Sequence, residues 1–238
     1  MKKIYSIAII LAAGSGKRMG NVILPKQFLT LSTKPIILIT LERIIKSKLF
    51  EKIVLVINSY WHEYVLQILN NYNVNMNDIE LVFGGEERID SIQNALSYLD
   101  QNYICENSSI VVFDAVRPFI TSKLMFDALE YARKYGVAVA GIEAKDTIYG
   151  IKNNQVDYIP CRKLLVNGQA PDSCKFTILK KSINQLNKIE KEMVTGTAQI
   201  CYLKGYNVYI FKGDERNIKI TTKIDYMVAK IIEKEWQE

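Results

Sequence analysis

The feature that most constrains this chain is an alternation of short Ile/Val-rich runs with longer segments of helical periodicity. Ile4–Leu11, Lys52–Asn58, Ile79–Phe83, Ser109–Phe113 and Val137–Ile142 read as strands. Between them, 35–49, 60–72, 89–99 and 122–135 carry apolar residues at helical spacing. Strands with apolar residues at nearly every position are buried on both faces. Their alternation with helices predicts an α/β fold, a mostly parallel sheet with helices on both faces. In such sheets ligands bind beyond the carboxyl ends of the strands.

The pattern changes after Ile142. Strands at 147–149 and 156–159 flank Asn153-Asn154, which predicts a hairpin, and a projecting β-arm is expected over about 143–172. Helices at 175–189 and 197–203, strands at 208–211 and 218–221, and a closing helix at 222–235 complete the reading. Neither a repeat nor a linker interrupts the 238 residues, so one domain over 1–238 is expected.

Composition removes several classes of function. A single histidine, His62, excludes His-based metal cages and His-centred triads. Cys105, Cys161, Cys174 and Cys201 form no CxxC pair, which excludes zinc ribbons and predicts reduced thiols in a cytoplasmic protein. The net charge of +6 comes without a dense Lys/Arg block interleaved with aromatics, so neither nucleic acid nor a membrane is an expected partner. A small anionic substrate fits better, because basic residues recur beside glycines and prolines.

Ala12, Ala13, Gly14, Ser15, Gly16, Lys17 and Arg18 follow the first strand directly. Small residues let backbone N–H groups approach phosphate oxygens, and the basic pair adds charge. The third glycine, Gly20, falls one residue late for a dinucleotide fingerprint, and Arg18 stands where a P-loop needs Ser or Thr. Lys26 follows in Leu24-Pro25-Lys26-Gln27-Phe28. Further along stand Gly84-Gly85-Glu86-Glu87-Arg88 with Ser91, then Asp114-Ala115-Val116-Arg117-Pro118-Phe119, Asp146-Thr147, and Asn217-Ile218-Lys219-Ile220-Thr221.

This set, in this order, resembles the cytidylyltransferases that act on 2-C-methylerythritol 4-phosphate and on ribitol 5-phosphate. The Arg18–Lys26 spacing, Leu24 and Gly168-Gln169 resemble the ribitol-phosphate branch more. The resemblance implies a Rossmann-like fold and transfer of CMP from CTP to a small phosphorylated polyol or sugar. It implies Arg18, Lys26 and Lys219 as catalytic residues. Ala12, Ala13, Gly14, Ser15, Gly16, Gly84, Gly85, Arg88, Ser91 and Asp114 would bind CTP, and Asp114 would also hold Mg²⁺. The acceptor would meet Arg117, Lys219, Thr147 and Arg162, the last two on an arm that embraces a second subunit in a homodimer.

The chemistry suits such a chain. An acceptor phosphate is already an anion near neutral pH, so attack on the α-phosphorus requires no general base, only alignment and charge neutralisation. Three segments depart from the family pattern. Phe113 replaces a His, Gln169-Ala170-Pro171-Asp172 replaces QTPQ, and Gly196 stands where a TD segment carries its Asp. These departures predict an acceptor other than methylerythritol phosphate. They also leave open a catalytically silent nucleotide-binding protein.

Overall fold

The structure is a computed structural model, and it describes residues 1–14 and 24–236. Its centre is a sheet of strands β1 (Ser6–Leu11), β2 (Lys52–Ile57), β3 (Ile79–Phe83), β4 (Ser109–Asp114), β5 (Val137–Glu143), β8 (Val166–Lys175) and β9 (Tyr209–Lys212). Strands β6 (Gly150–Lys152) and β7 (Gln155–Tyr158) form a separate hairpin. The order across the sheet is β9-β5-β8-β4-β1-β2-β3, and every neighbouring pair is parallel except those made by β8.

Side-chain alternation along the strands builds a core on each face. Ala8 and Ile10 of β1 and Val111 and Phe113 of β4 face helices α1 (Ile36–Ser47), α2 (His62–Asn71) and α4 (Ser122–Tyr135). Ile7 and Ile9, with Ile110 and Val112, face α3 (Arg88–Asn102), α5 (Phe176–Asn184) and α7 (Thr197–Leu203). Each large apolar side chain fully buried this way contributes about 1.5–3 kcal/mol. Helix α6 (Lys188–Met193) follows α5, and α8 (Lys223–Glu235) closes the chain over Leu31, Phe119 and Ile220. The α/β class and the two helical layers therefore match the sequence.

The segment after β5 departs from expectation. The hairpin turn is where Asn153-Asn154 predicted it, both residues being left-handed at φ 51° and 61°, as a two-residue turn requires. Its first strand, however, lies at Gly150–Lys152 rather than 147–149. The arm is also shorter than 143–172, because Val166–Lys175 is a ten-residue strand inside the sheet, antiparallel to both β4 and β5. No strand forms at 218–221. The helix expected over 175–189 breaks in two, because Asn187 and Glu190 form a capping box that starts α6. Cys105, Cys174 and Cys201 are buried free thiols, whereas Cys161 is exposed on the arm side of the molecule.

Candidate active site at the carboxyl ends of β1 and β4

Strand order reverses at β1: its next strand in sequence, β2, lies on one side and β4 on the other. A crevice opens at such a switch point, beyond the carboxyl ends of the strands. Leu11 ends β1 directly opposite Asp114, the last residue of β4. The chain then enters the glycine-rich loop. Ala12 N–H donates to the Val56 carbonyl at 2.8 Å. Buried Gln27 donates through Nε2 to the Ala12 and Gly14 carbonyls at 2.8 and 2.9 Å. The short 3₁₀ turn Lys26–Phe28 is thereby clamped to the loop, with half-buried Lys26 at its start. Ser15, Gly16, Lys17 and Arg18 lie outside the described residues.

Gly84 and Gly85, after β3, meet the same loop. A Cβ on Gly84 would stand 2.5 Å from Ala13 Cβ and 2.7 Å from Ser91 Oγ, so only glycine allows this approach. Gly85 N–H donates to Ser91 Oγ at 3.2 Å, and a Cβ on Gly85 would stand 2.3 Å from Asp90 Cβ. The sequence leaves these glycines readable as a mere turn; packing against Ala13 and Ser91 is what fixes them.

Asp114 is the electrostatic centre. Arg88 Nη1 donates to its Oδ1 at 2.6 Å, while Arg117 Nε and Lys219 Nζ reach Oδ2 at 3.3 and 3.0 Å. Burial alone would raise this carboxyl's pKa. Arg88, Lys219 and Arg117 more than reverse that and hold it well below the usual carboxylate range. These four residues line a cavity of about 460 Å³ together with Gln169 and Asp172. An array of three cations around one carboxylate is a ready anion receiver, because an arriving phosphate exchanges one set of charge-assisted bonds for another.

Two segments hold the cluster in place. Arg117 Nη1 donates to the Asn217 carbonyl at 2.6 Å, and buried Asn217 donates through Nδ2 to the Ala170 carbonyl at 2.7 Å. Ile220 N–H donates to the Val116 carbonyl at 3.0 Å, which ties the Lys219 segment to the loop after β4. Strand β8 changes register between Gln169 and Asp172, an irregularity that brings Ala170 and Asp172 onto the cavity wall. Asp172 Oδ2 accepts the Thr197 N–H at 2.6 Å where α7 begins. Burial pushes its carboxyl pKa up, with Arg88 and the Thr197 N–H pulling the other way and losing.

Mg²⁺ was expected at Asp114. As a hard oxygen donor it fits such an ion in kind, and Asp172 is the one other acidic residue among those described on the cavity wall. Among the described residues no cluster of three or more His, Cys, Asp or Glu could hold a metal. Phosphate oxygens and water would have to complete the shell, which is the common habit of Mg²⁺.

Of the expected acceptor residues, Arg117 and Lys219 are brought together, whereas Thr147 and Arg162 are not. Both of the latter are exposed, Arg162 donates to the Lys145 carbonyl at 2.8 Å, and neither lines the cavity. Phe113 corrects another expectation. Alternation turns its side chain to the α1/α2/α4 face, edge-on to Phe50 with ring centres 5.6 Å apart, so it is a core residue away from the cavity. Ala170 and Gly196 do line the cavity. Gln27 and Asn217 lie within the sequence motifs, but their bonds to backbone carbonyls emerge only from the fold.

Comparison with known proteins agrees with this geometry. The family described as IspD, 2-C-methyl-D-erythritol 4-phosphate cytidylyltransferase, matches residues 6–235. The chain is similar to 4-diphosphocytidyl-2C-methyl-D-erythritol synthase from Anaerococcus prevotii at 25% identity and TM-score 0.81, covering 97% of this chain and 96% of that one. It is also similar to 2-C-methyl-D-erythritol 4-phosphate cytidylyltransferase from Francisella tularensis at 27% identity and TM-score 0.79, covering 95% and 99%. The structure of the Thermus thermophilus protein, at 18% identity and TM-score 0.69 over 95% and 98%, shares the fold. The ribitol-phosphate branch finds no support in these matches. With almost the whole chain matched and Arg88, Asp114, Arg117 and Lys219 gathered at one switch point, the chain belongs to the IspD family and is a CTP-dependent cytidylyltransferase.

Proposed function

We propose that the chain transfers CMP from CTP to 2-C-methyl-D-erythritol 4-phosphate, releasing pyrophosphate. The observation that carries this is the Asp114 cluster, three cations around one buried carboxylate at the carboxyl ends of β1 and β4. Two of the three departures from the family pattern lose their force. Phe113 points into the core. The carboxylate missing at Gly196 is supplied from across the gap by Asp172, whose Oδ2 lies 3.7 Å from where a Gly196 Cβ would be. A catalytically silent binder therefore has little left to recommend it.

In this reading an acceptor phosphate oxygen attacks the α-phosphorus of CTP. A P–O bond forms there as the bond to the bridging oxygen of the leaving pyrophosphate breaks. Lys219 and Arg117 receive the acceptor phosphate and shield it from the triphosphate. Arg18 and Lys26 stabilise charge on the α- and β-phosphates, and Ala12, Ala13, Gly14, Ser15 and Gly16 bring backbone N–H groups to the triphosphate. Gly84, Gly85 and Ser91 shape the nucleotide side, while Arg88 keeps Asp114 oriented. Mg²⁺, when bound at Asp114, supplies further neutralisation of the phosphates.

Thr147 and Arg162 serve the neighbouring subunit of a homodimer. The arm supports this by exposing Ile151, Val156, Tyr158 and Leu164, a set of apolar side chains that a second copy would cover. A second reading, with ribitol 5-phosphate as acceptor, is favoured by one observation: Ala170 lines the cavity without a hydroxyl. Pyrophosphate release with CTP, Mg²⁺ and each acceptor in turn decides between them. A higher kcat/KM for methylerythritol phosphate is expected, and a higher value for ribitol 5-phosphate overturns the proposal.

A further inference from the structure

Asp172 is a second buried carboxylate in the cavity, and its surroundings differ from those of Asp114. It is 6% exposed, yet among the described residues no cation forms an ion pair with it. Its hydrogen bond from the Thr197 N–H occupies Oδ2, and a carboxylate offers roughly four lone-pair sites. Ala170 and Gly196, which share the cavity wall, bring no polar side chain. Arg88 and Thr197 offset part of the cost of burying this carboxylate but do not outweigh it, and a ligand that donates to its remaining lone pairs would offset more. The ligand's phosphate is not the donor, because like charges repel; that end belongs to Arg117 and Lys219.

We propose that Asp172 is a specificity-determining residue that accepts hydrogen bonds from hydroxyl groups of the acceptor, so that the cavity selects a polyhydroxylated phosphate over a simpler one. The assignment rests on the acceptor reading above and adds the group that recognises the carbon chain. Strand β8 carries it: after the register change that follows Gln169, pairing with both β4 and β5 resumes at Asp172, whose side chain lines the cavity. Gly196 makes the same point reachable from the other side: a Cβ there would be in ordinary contact with Asp172 Oδ2 at 3.7 Å, and its backbone conformation suits a longer residue.

The test is steady-state kinetics with CTP, Mg²⁺ and 2-C-methyl-D-erythritol 4-phosphate. Asp172→Asn should raise the acceptor KM about 10- to 100-fold while leaving the CTP KM within about threefold. Asp172→Gln combined with Gly196→Asp moves the carboxylate across the gap and should recover most of the lost acceptor affinity. An unchanged acceptor KM in Asp172→Asn overturns the proposal. So does an equal rise in both KM values with a lowered melting temperature, which marks a purely structural role at the start of α7. Should Asp172→Asn fail to fold, mono-deoxy acceptor analogues on the wild-type chain replace it. Loss of one hydroxyl should then cost at least about tenfold in kcat/KM, and equal use of every analogue overturns the proposal. A wild-type chain that releases no pyrophosphate with any acceptor defeats the acceptor reading and this inference together. An active wild type with an indifferent Asp172→Asn defeats only the inference.

Discussion

Lys26, Asp114 and Lys219 show how far single residues can be read from a sequence. Lys26 follows a proline and Asp114 ends a buried strand, so their chemistry is exposed to inspection, while Lys219 is marked only by the motif around it. The importance of Asp172 and Gln27 lies instead in what they touch: a helix start in one case, two loop carbonyls in the other. Phe113 marks the opposite error. Its place next to Asp114 in the sequence suggests the acceptor side, but strand alternation sends it to the other face of the sheet. Lys26 yields a prediction at this scale. If its charge acts mainly in the transition state, Lys26→Ala should lower kcat by about 10²–10³-fold. Circular dichroism and thermal melting should be unchanged, since the turn is held by Gln27. Near-normal turnover would remove Lys26 from the mechanism.

Among elements, the buried parallel strands were legible because β1, β2 and β4 are apolar almost throughout. Strand β8 was not. Its sequence, Val-Asn-Gly-Gln-Ala-Pro-Asp-Ser-Cys-Lys, has a proline, a glycine and several polar residues, and only its neighbours β4 and β5 make it a strand. The far edge of the sheet gives a test of element-level electrostatics. Lys52 at the start of β2 donates to Glu80 of β3 at 3.2 Å, and Tyr103 donates to the same carboxylate at 3.0 Å. Burial works to raise the Glu80 pKa, but hydrogen bonds from Tyr98, Lys52 and Tyr103 outweigh it and lower it. The ionised form therefore stabilises the fold above the ordinary carboxylate pKa, and the contribution is lost as pH falls through the lowered one. Glu80→Gln should cost about 1 kcal/mol at neutral pH by urea denaturation. The deficit should shrink as the pH falls below the ordinary carboxylate pKa and vanish once it is below the lowered one, where folded and unfolded states are both protonated. A deficit independent of pH contradicts this origin.

For the whole molecule, the fold class and the location of the site followed from alternation and from the order of motifs, because a switch point collects whatever follows β1 and β4. Sequence alone could not say that Thr147 and Arg162 stand clear of the cavity in their own subunit, since that depends on where the hairpin projects. Subunit mixing tests the homodimer proposal. Arg162→Ala and Lys26→Ala chains, each impaired alone, should regain activity when co-assembled, because one of the two sites then has both residues intact. No recovery in a verified heterodimer would assign the arm to its own subunit or to no site. The central claim is that the acceptor's phosphate becomes joined to CMP. Phosphorus NMR of the purified chain with CTP, Mg²⁺ and 2-C-methyl-D-erythritol 4-phosphate tests it most directly. The acceptor's phosphomonoester signal should disappear, two mutually coupled diphosphate-ester signals should appear, and an equal amount of pyrophosphate should form. Acceptor and CTP signals that persist unchanged would contradict it.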